Sequence, residues 1–89
     1  MTTAQAQEMA KRIEGMHGLA DRTEQRFFFD GKIFYYNMRF MADYYDAWLK
    51  DSENTVWRFI YLVDGKGNAA EIIVEVANVE NDLKAAVER

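Results

Sequence analysis

The dipeptide Asp30-Gly31 lies between two aromatic runs, in QRFFFDGKIFYYNMRF, residues 25 to 40, which carry seven aromatic rings in sixteen positions. Asp-Gly between β-rich runs is a strong signal for a two-residue type I′ hairpin, because both central residues need positive φ. That turn sets a register: Phe29 opposes Lys32, Phe28 opposes Ile33, Phe27 opposes Phe34, Arg26 opposes Tyr35 and Gln25 opposes Tyr36. One face then carries Phe27, Phe29, Phe34, Tyr36, Met38 and Phe40. The other carries Phe28, Ile33 and Tyr35 near the turn, and Glu24, Arg26, Asn37 and Arg39 further away. The first face is the expected core.

The remaining segments supply what packs on this hairpin. Thr2 and Gln5 read as a capping box ahead of Ala6, Met9, Ala10 and Ile13 at helical spacing, which predicts a helix over 3–17 ended by Gly18. In MADYYDAWLKDS the apolar positions Met41, Tyr44, Tyr45, Trp48 and Leu49 keep to i, i+3, i+4, i+7 and i+8, with Asp43, Asp46 and Lys50 opposite. This spacing predicts a second helix, with Trp48 inserted between the sheet and another helix. Residues 56–63 and 69–77 flank the turn segment DGKGN and read as a second hairpin. If Val63 opposes Asn68, Trp57, Phe59 and Tyr61 share a face with Ala70, Ile72 and Val74. Asn78 is placed to cap a final helix with Val79, Leu83, Ala86 and Val87 inward. The expected fold is therefore α+β in the order αββαββα, a single domain over 1–89 with two hairpins in a four-stranded sheet packed by helices.

Composition narrows the function classes. The chain has fifteen Asp and Glu against eleven Lys and Arg, a formal charge of −4, so its long-range field repels phosphate backbones and anionic membranes. It has no cysteine, which excludes disulfides and thiolate chemistry. No run approaches a membrane span and no leader is visible, so a cytoplasmic location is expected. His17, the only histidine, has no carboxylate neighbours that spacing alone supplies, and reads as structural. Ser52, the only serine, lacks a nucleophile-elbow setting. DGKGNAAEIIVE spaces Asp64 and Glu75 like the ends of a calcium loop, but Lys66 and Ala69 stand where an oxygen ligand and a glycine belong. Asp43, Asp46, Asp51 and Glu53 read as a solvated helix face and its exit loop. No catalytic residue, metal ligand or cofactor is expected.

What is left over is the second sheet face. Phe28, Ile33, Tyr35, Ile60, Leu62 and Ile73, rimmed by Arg26 and Arg58, are too many large apolar groups for scattered exposure. The expected function is a small non-enzymatic module that binds another protein there, as a stoichiometric inhibitor or accessory subunit. Short acidic inhibitors from phage and other mobile elements offer an analogy of size and charge. Homodimerisation sheet to sheet, with Glu71 and Glu75 completing the rim, is the expected assembly. The alternative is single-stranded nucleic acid stacked on the aromatic and basic hairpin 25–40, which the net charge disfavours.

Overall fold

The computed structural model describes residues 1–77. Helix α1, Thr3–His17, is followed by five strands: β1 (Arg22–Phe29), β2 (Lys32–Phe40), β3 (Tyr44–Lys50), β4 (Val56–Val63) and β5 (Ala69–Val76). They form one antiparallel sheet in the order β1-β2-β3-β4-β5, so each strand pairs with its neighbours in sequence. This replaces the expected αββαββα order and four-stranded sheet. The final helix expected from Asn78 lies outside the described residues. No helix among the described residues is long and apolar enough to cross a membrane.

α1 begins as its sequence predicts. The Thr2 hydroxyl accepts from the Gln5 N–H, and the Gln5 side chain accepts from the Thr2 N–H. Gly18, at φ 77°, ends it. Ala6, Met9, Ala10 and Ile13 are fully buried and join Phe27, Tyr36, Met38, Leu49, Phe59 and Tyr61 in one cluster on what is here called the helix face of the sheet. Buried rings on three strands thus find their partners in α1 and in one another. The Tyr61 hydroxyl donates to the Ala10 carbonyl at 2.8 Å, and burial pushes its phenol pKa far up. The Tyr36 hydroxyl meets His17 Nδ1 at 2.7 Å, while the His17 ring stands edge-on to Phe27.

The first hairpin has the register its turn dictates, from Phe29 opposite Lys32 to Gln25 opposite Tyr36, with Asp30 and Gly31 at φ 51° and 75°. Phe27, Phe34, Tyr36 and Met38 are buried on the helix face as expected. Phe40, expected among them, is 50% exposed because it ends β2, where it packs against the Tyr45 ring.

The segment 44–50 is a strand, not a helix, and the reason is geometric. A spacing of four keeps a face in a helix, and it also keeps a face in a strand because four is even. Tyr45 with Leu49 and Tyr44 with Trp48 therefore satisfy both patterns. β3 is the central strand of five, and a strand covered on both faces reads as a continuous run rather than an alternation. Tyr45, Ala47 and Leu49 face α1, whereas Tyr44, Asp46 and Trp48 face away from it. Trp48 accordingly does not sit between the sheet and a helix of the described residues. A tight turn at Ala42, φ 71°, with no glycine to announce it, reverses the chain from β2 into β3.

The other two turns share one geometry. In DSENT, the Asp51 N–H donates to the Thr55 carbonyl and the Asn54 N–H to the Asp51 carbonyl, with Asn54 at φ 65°. In DGKGN, Asp64, Gly67 and Asn68 repeat these bonds, with Gly67 at φ 83°. In each, the aspartate carboxylate accepts from the N–H groups two and four residues on. The second of these turns displaces the expected register by two residues: Tyr61 opposes Ile72 and Phe59 opposes Val74, after a shift at Leu62/Val63. Because two is even, Trp57, Phe59 and Tyr61 still share a face with Ile72 and Val74.

Asp51 does more than close its turn. Its second oxygen accepts from the buried Trp57 indole N–H at 2.9 Å. Desolvation would raise its pKa, but the bonds from Trp57, Thr55 and Glu53 outweigh it and hold the carboxyl below its ordinary value. A depressed folded-state pKa means stability that is present above the unfolded value and lost as pH falls through the folded one. We expect Asp51→Ala to cost about 2 to 4 kcal/mol near neutral pH, since it orphans the indole donor. The deficit should begin to shrink as pH falls below the unfolded-state value of about 4, and be smallest only below the depressed folded-state value, where the wild-type carboxylate is itself protonated. Urea titrations at neutral and acid pH check this, and a pH-independent deficit would refute the assignment.

A docking corner on the far face

The face turned away from α1 divides into three zones. At its centre, Asp46 is fully buried and lies opposite Ile60, while Trp48 lies opposite Arg58, which lies opposite Glu75. Arg58 grips Asp46 with two bonds, Nε to Oδ1 at 3.0 Å and Nη2 to Oδ2 at 3.1 Å. Its guanidinium carbon sits 5.2 Å from the centre of the Trp48 ring, and Nη1 reaches Glu75 at 3.5 Å. The bond to Asp46 raises the Arg58 pKa further above its ordinary value. Trp48, Val56 and Ala77 form a second buried cluster beside this pair. Asp46 is thus not part of a solvated face, and Arg58 is not a free rim charge.

The six apolar residues expected to form one surface fall to either side of that centre. Phe28, Ile33 and Tyr35 lie together at the turn end of β1 and β2, exposed to 67%, 58% and 57%. Ile73 is 38% exposed and pairs with Ile60 across β4 and β5, with Leu62 beyond; Ile60 and Leu62 are half-buried. The two groups occupy diagonally opposite corners. With Trp48 and Val56 buried between them, the two groups are separate exposed patches among the described residues.

The corners differ in charge. Arg26 opposes Tyr35, and Lys50 follows Leu49, the partner of Tyr36, so it ends β3 beside Tyr35. The first corner is therefore aromatic and basic. At the second, Glu71 opposes Leu62 and Glu75 opposes Arg58, so it is aliphatic and acidic. Sequence reasoning found both sets but missed the ion pair dividing them, because the helical reading of 41–52 put Asp46 on a surface. The available signal was an aspartate inside a run whose neighbours on both sides are apolar.

The other candidate groups are either tied into the fold or exposed singly. His17 bonds to Tyr36, Ser52 is exposed in the β3–β4 turn, Asp43 is exposed, and Asp64 organises its turn. Glu75, the far end of the apparent calcium loop, pairs with Arg58. A pocket of about 190 Å³ on the opposite side is lined by Gln5, Phe29, Lys32, Phe34, Asp51 and Glu53, of which Asp51 is already committed to its turn. No group of three or more His, Cys, Asp or Glu side chains among the described residues is arranged to hold a metal ion. In comparisons with known proteins, no family model, no curated protein and no solved structure matches the chain.

Proposed function

We propose that this chain is a protein-binding module that docks its partner on the corner formed by Phe28, Ile33 and Tyr35, acting as a stoichiometric inhibitor or accessory subunit. The observation that carries the reading is the exposure of three adjacent large apolar side chains, each more than half open, in a sheet whose other face is filled. Contiguous exposed apolar groups with a polar rim mark interaction sites, and Tyr, Phe and Arg are the residues enriched there. Arg26 and Lys50 form the rim, so a partner that brings carboxylates around an apolar anchor fits best.

The test is a pull-down from native-host extract with the wild-type chain and with Ile33→Glu/Tyr35→Glu. Both positions are exposed, so the double variant should keep its circular dichroism spectrum and lose the captured protein, because a desolvated charge is costly in an interface. Undiminished capture would overturn the reading.

The row Arg26–Tyr35–Lys50, with Phe28 beside it, favours a second reading, single-stranded nucleic acid stacked on the rings with cations along its backbone. Its distinguishing result is affinity for an oligonucleotide that falls steeply as salt rises. A partner protein held through apolar contacts lacks that slope.

A further inference from the structure

The docking corner lies against the β1 edge of the sheet. β1 is the first strand in the sheet order, so its outer side has no neighbour among the described residues. Phe29 and Lys32 flank the two-residue turn and form a closely bonded pair, so Phe29, Phe27 and Gln25 spend their backbone groups on β2. Arg26 and Phe28 must direct their N–H and C=O outward. Natural sheets blunt such edges with charges, bulges or proline. The far half of β1 obeys: the register breaks between Arg22 and Gln25, Glu24 sits at φ 53°, and its N–H is taken by the Asn37 side chain at 2.7 Å. The opposite edge, β5, carries Glu71 and Glu75. The turn-proximal half of β1, Gln25–Phe29, carries three phenylalanines and a single charge.

That segment is complementary to itself. In antiparallel pairing about a two-fold axis at Phe27, Arg26 falls opposite Phe28 of a second copy, and both point to the far face. Arg26 has no acidic partner among the described residues, and the ring beside it is 67% exposed. Each copy would set its guanidinium against the other's ring, an attraction made twice by symmetry.

We propose that two copies of this chain join through β1, Gln25–Phe29, as antiparallel edge strands, which places their two docking corners side by side as one surface. This rests on the reading of Phe28, Ile33 and Tyr35 as the docking corner and states what its assembled form is. Packing across the buried centre of the far face is not needed.

The chain has no cysteine, so cross-linking reads the register directly. Arg26→Cys and Phe28→Cys, each at an exposed position, are prepared separately, oxidised alone and then as a mixture. The paired register puts position 26 within disulfide reach of position 28 of the other copy, and not of its own equivalent. A cross-linked dimer formed in the mixture and scarcely in either variant alone is the expected result. Sedimentation of the wild-type chain should show mass rising from 10.4 kDa toward twice that with concentration. Phe28→Lys should hold the chain at the monomer mass with an unchanged circular dichroism spectrum. Cross-linking no better in the mixture, a wild-type chain monomeric up to about 1 mM, or a dimer that survives Phe28→Lys would each overturn the pairing. Ile33→Glu/Tyr35→Glu separates the two readings: if the wild-type chain is monomeric and still captures a partner that the double variant loses, the edge pairing is sunk and the docking corner stands.

Discussion

Asp46→Ala is expected to lower stability by about 2 to 4 kcal/mol, short of the full range for breaking a buried ion pair because the Arg58 left behind is 28% exposed and keeps its contact with Glu75. The side chain is fully buried and held by two bonds to Arg58. Its loss leaves a guanidinium over the Trp48 ring with its principal counter-charge gone. A domain of 89 residues has a total stability of roughly 4 to 13 kcal/mol, so this one change removes a large share of it. The control is Asp46→Leu/Arg58→Met, which replaces both members with apolar groups. Because desolvating two charges offsets most of their attraction, the double variant should recover much of what the single one loses. Denaturant titrations of the three proteins decide the matter. If the double variant is less stable than Asp46→Ala, the pair is a net source of stability and its desolvation does not offset its attraction.

That ion pair also marks where the sequence stops being legible. The two hairpins could be read because their evidence is local: Asp30-Gly31 demands positive φ, and the alternation of Phe27, Phe34 and Tyr36 against Phe28, Ile33 and Tyr35 follows from the turn. α1 was readable for the same reason, with Thr2, Gln5 and Gly18 marking its ends. β3 was not, because the property that makes it a strand is its central place in the sheet, which depends on four other segments. A spacing of four between Tyr45 and Leu49 cannot separate a helix from a strand buried on both faces. The turn DSENT did carry a local signal. It repeats the pattern of DGKGN, an aspartate followed three residues later by a residue that tolerates the left-handed region. Read that way, 44–50 and 56–63 become a hairpin. Of the candidate site, the exposure of Phe28, Ile33 and Tyr35 was legible, since it needed only the first hairpin, whereas the place of Lys50 beside them needed β3. The division of the far face by Asp46, Trp48 and Arg58 needed the β3 register.

Trp48→Ala is expected to cost about 3 to 5 kcal/mol, as truncations of buried aromatics do. The ring is 6% exposed, and its neighbours are Val56 and Ala77 on one side and the Arg58 guanidinium at 5.2 Å on the other. Two contributions can be separated. Trp48→Leu keeps an apolar filler but removes the π face, so it should lose less than the alanine variant. A double-mutant cycle with Arg58→Met isolates the cation–π contribution, for which about 1 kcal/mol of coupling is expected in this partly desolvated setting. The cycle is best run in the Asp46→Leu background, so that replacing Arg58 leaves no buried carboxylate unpaired in any of the four proteins. A cost for Trp48→Ala below about 1 kcal/mol, the range of ordinary surface substitutions, would show that the centre of the far face is open. The two apolar corners would then form one continuous surface, and packing sheet to sheet would again compete with pairing through the β1 edge.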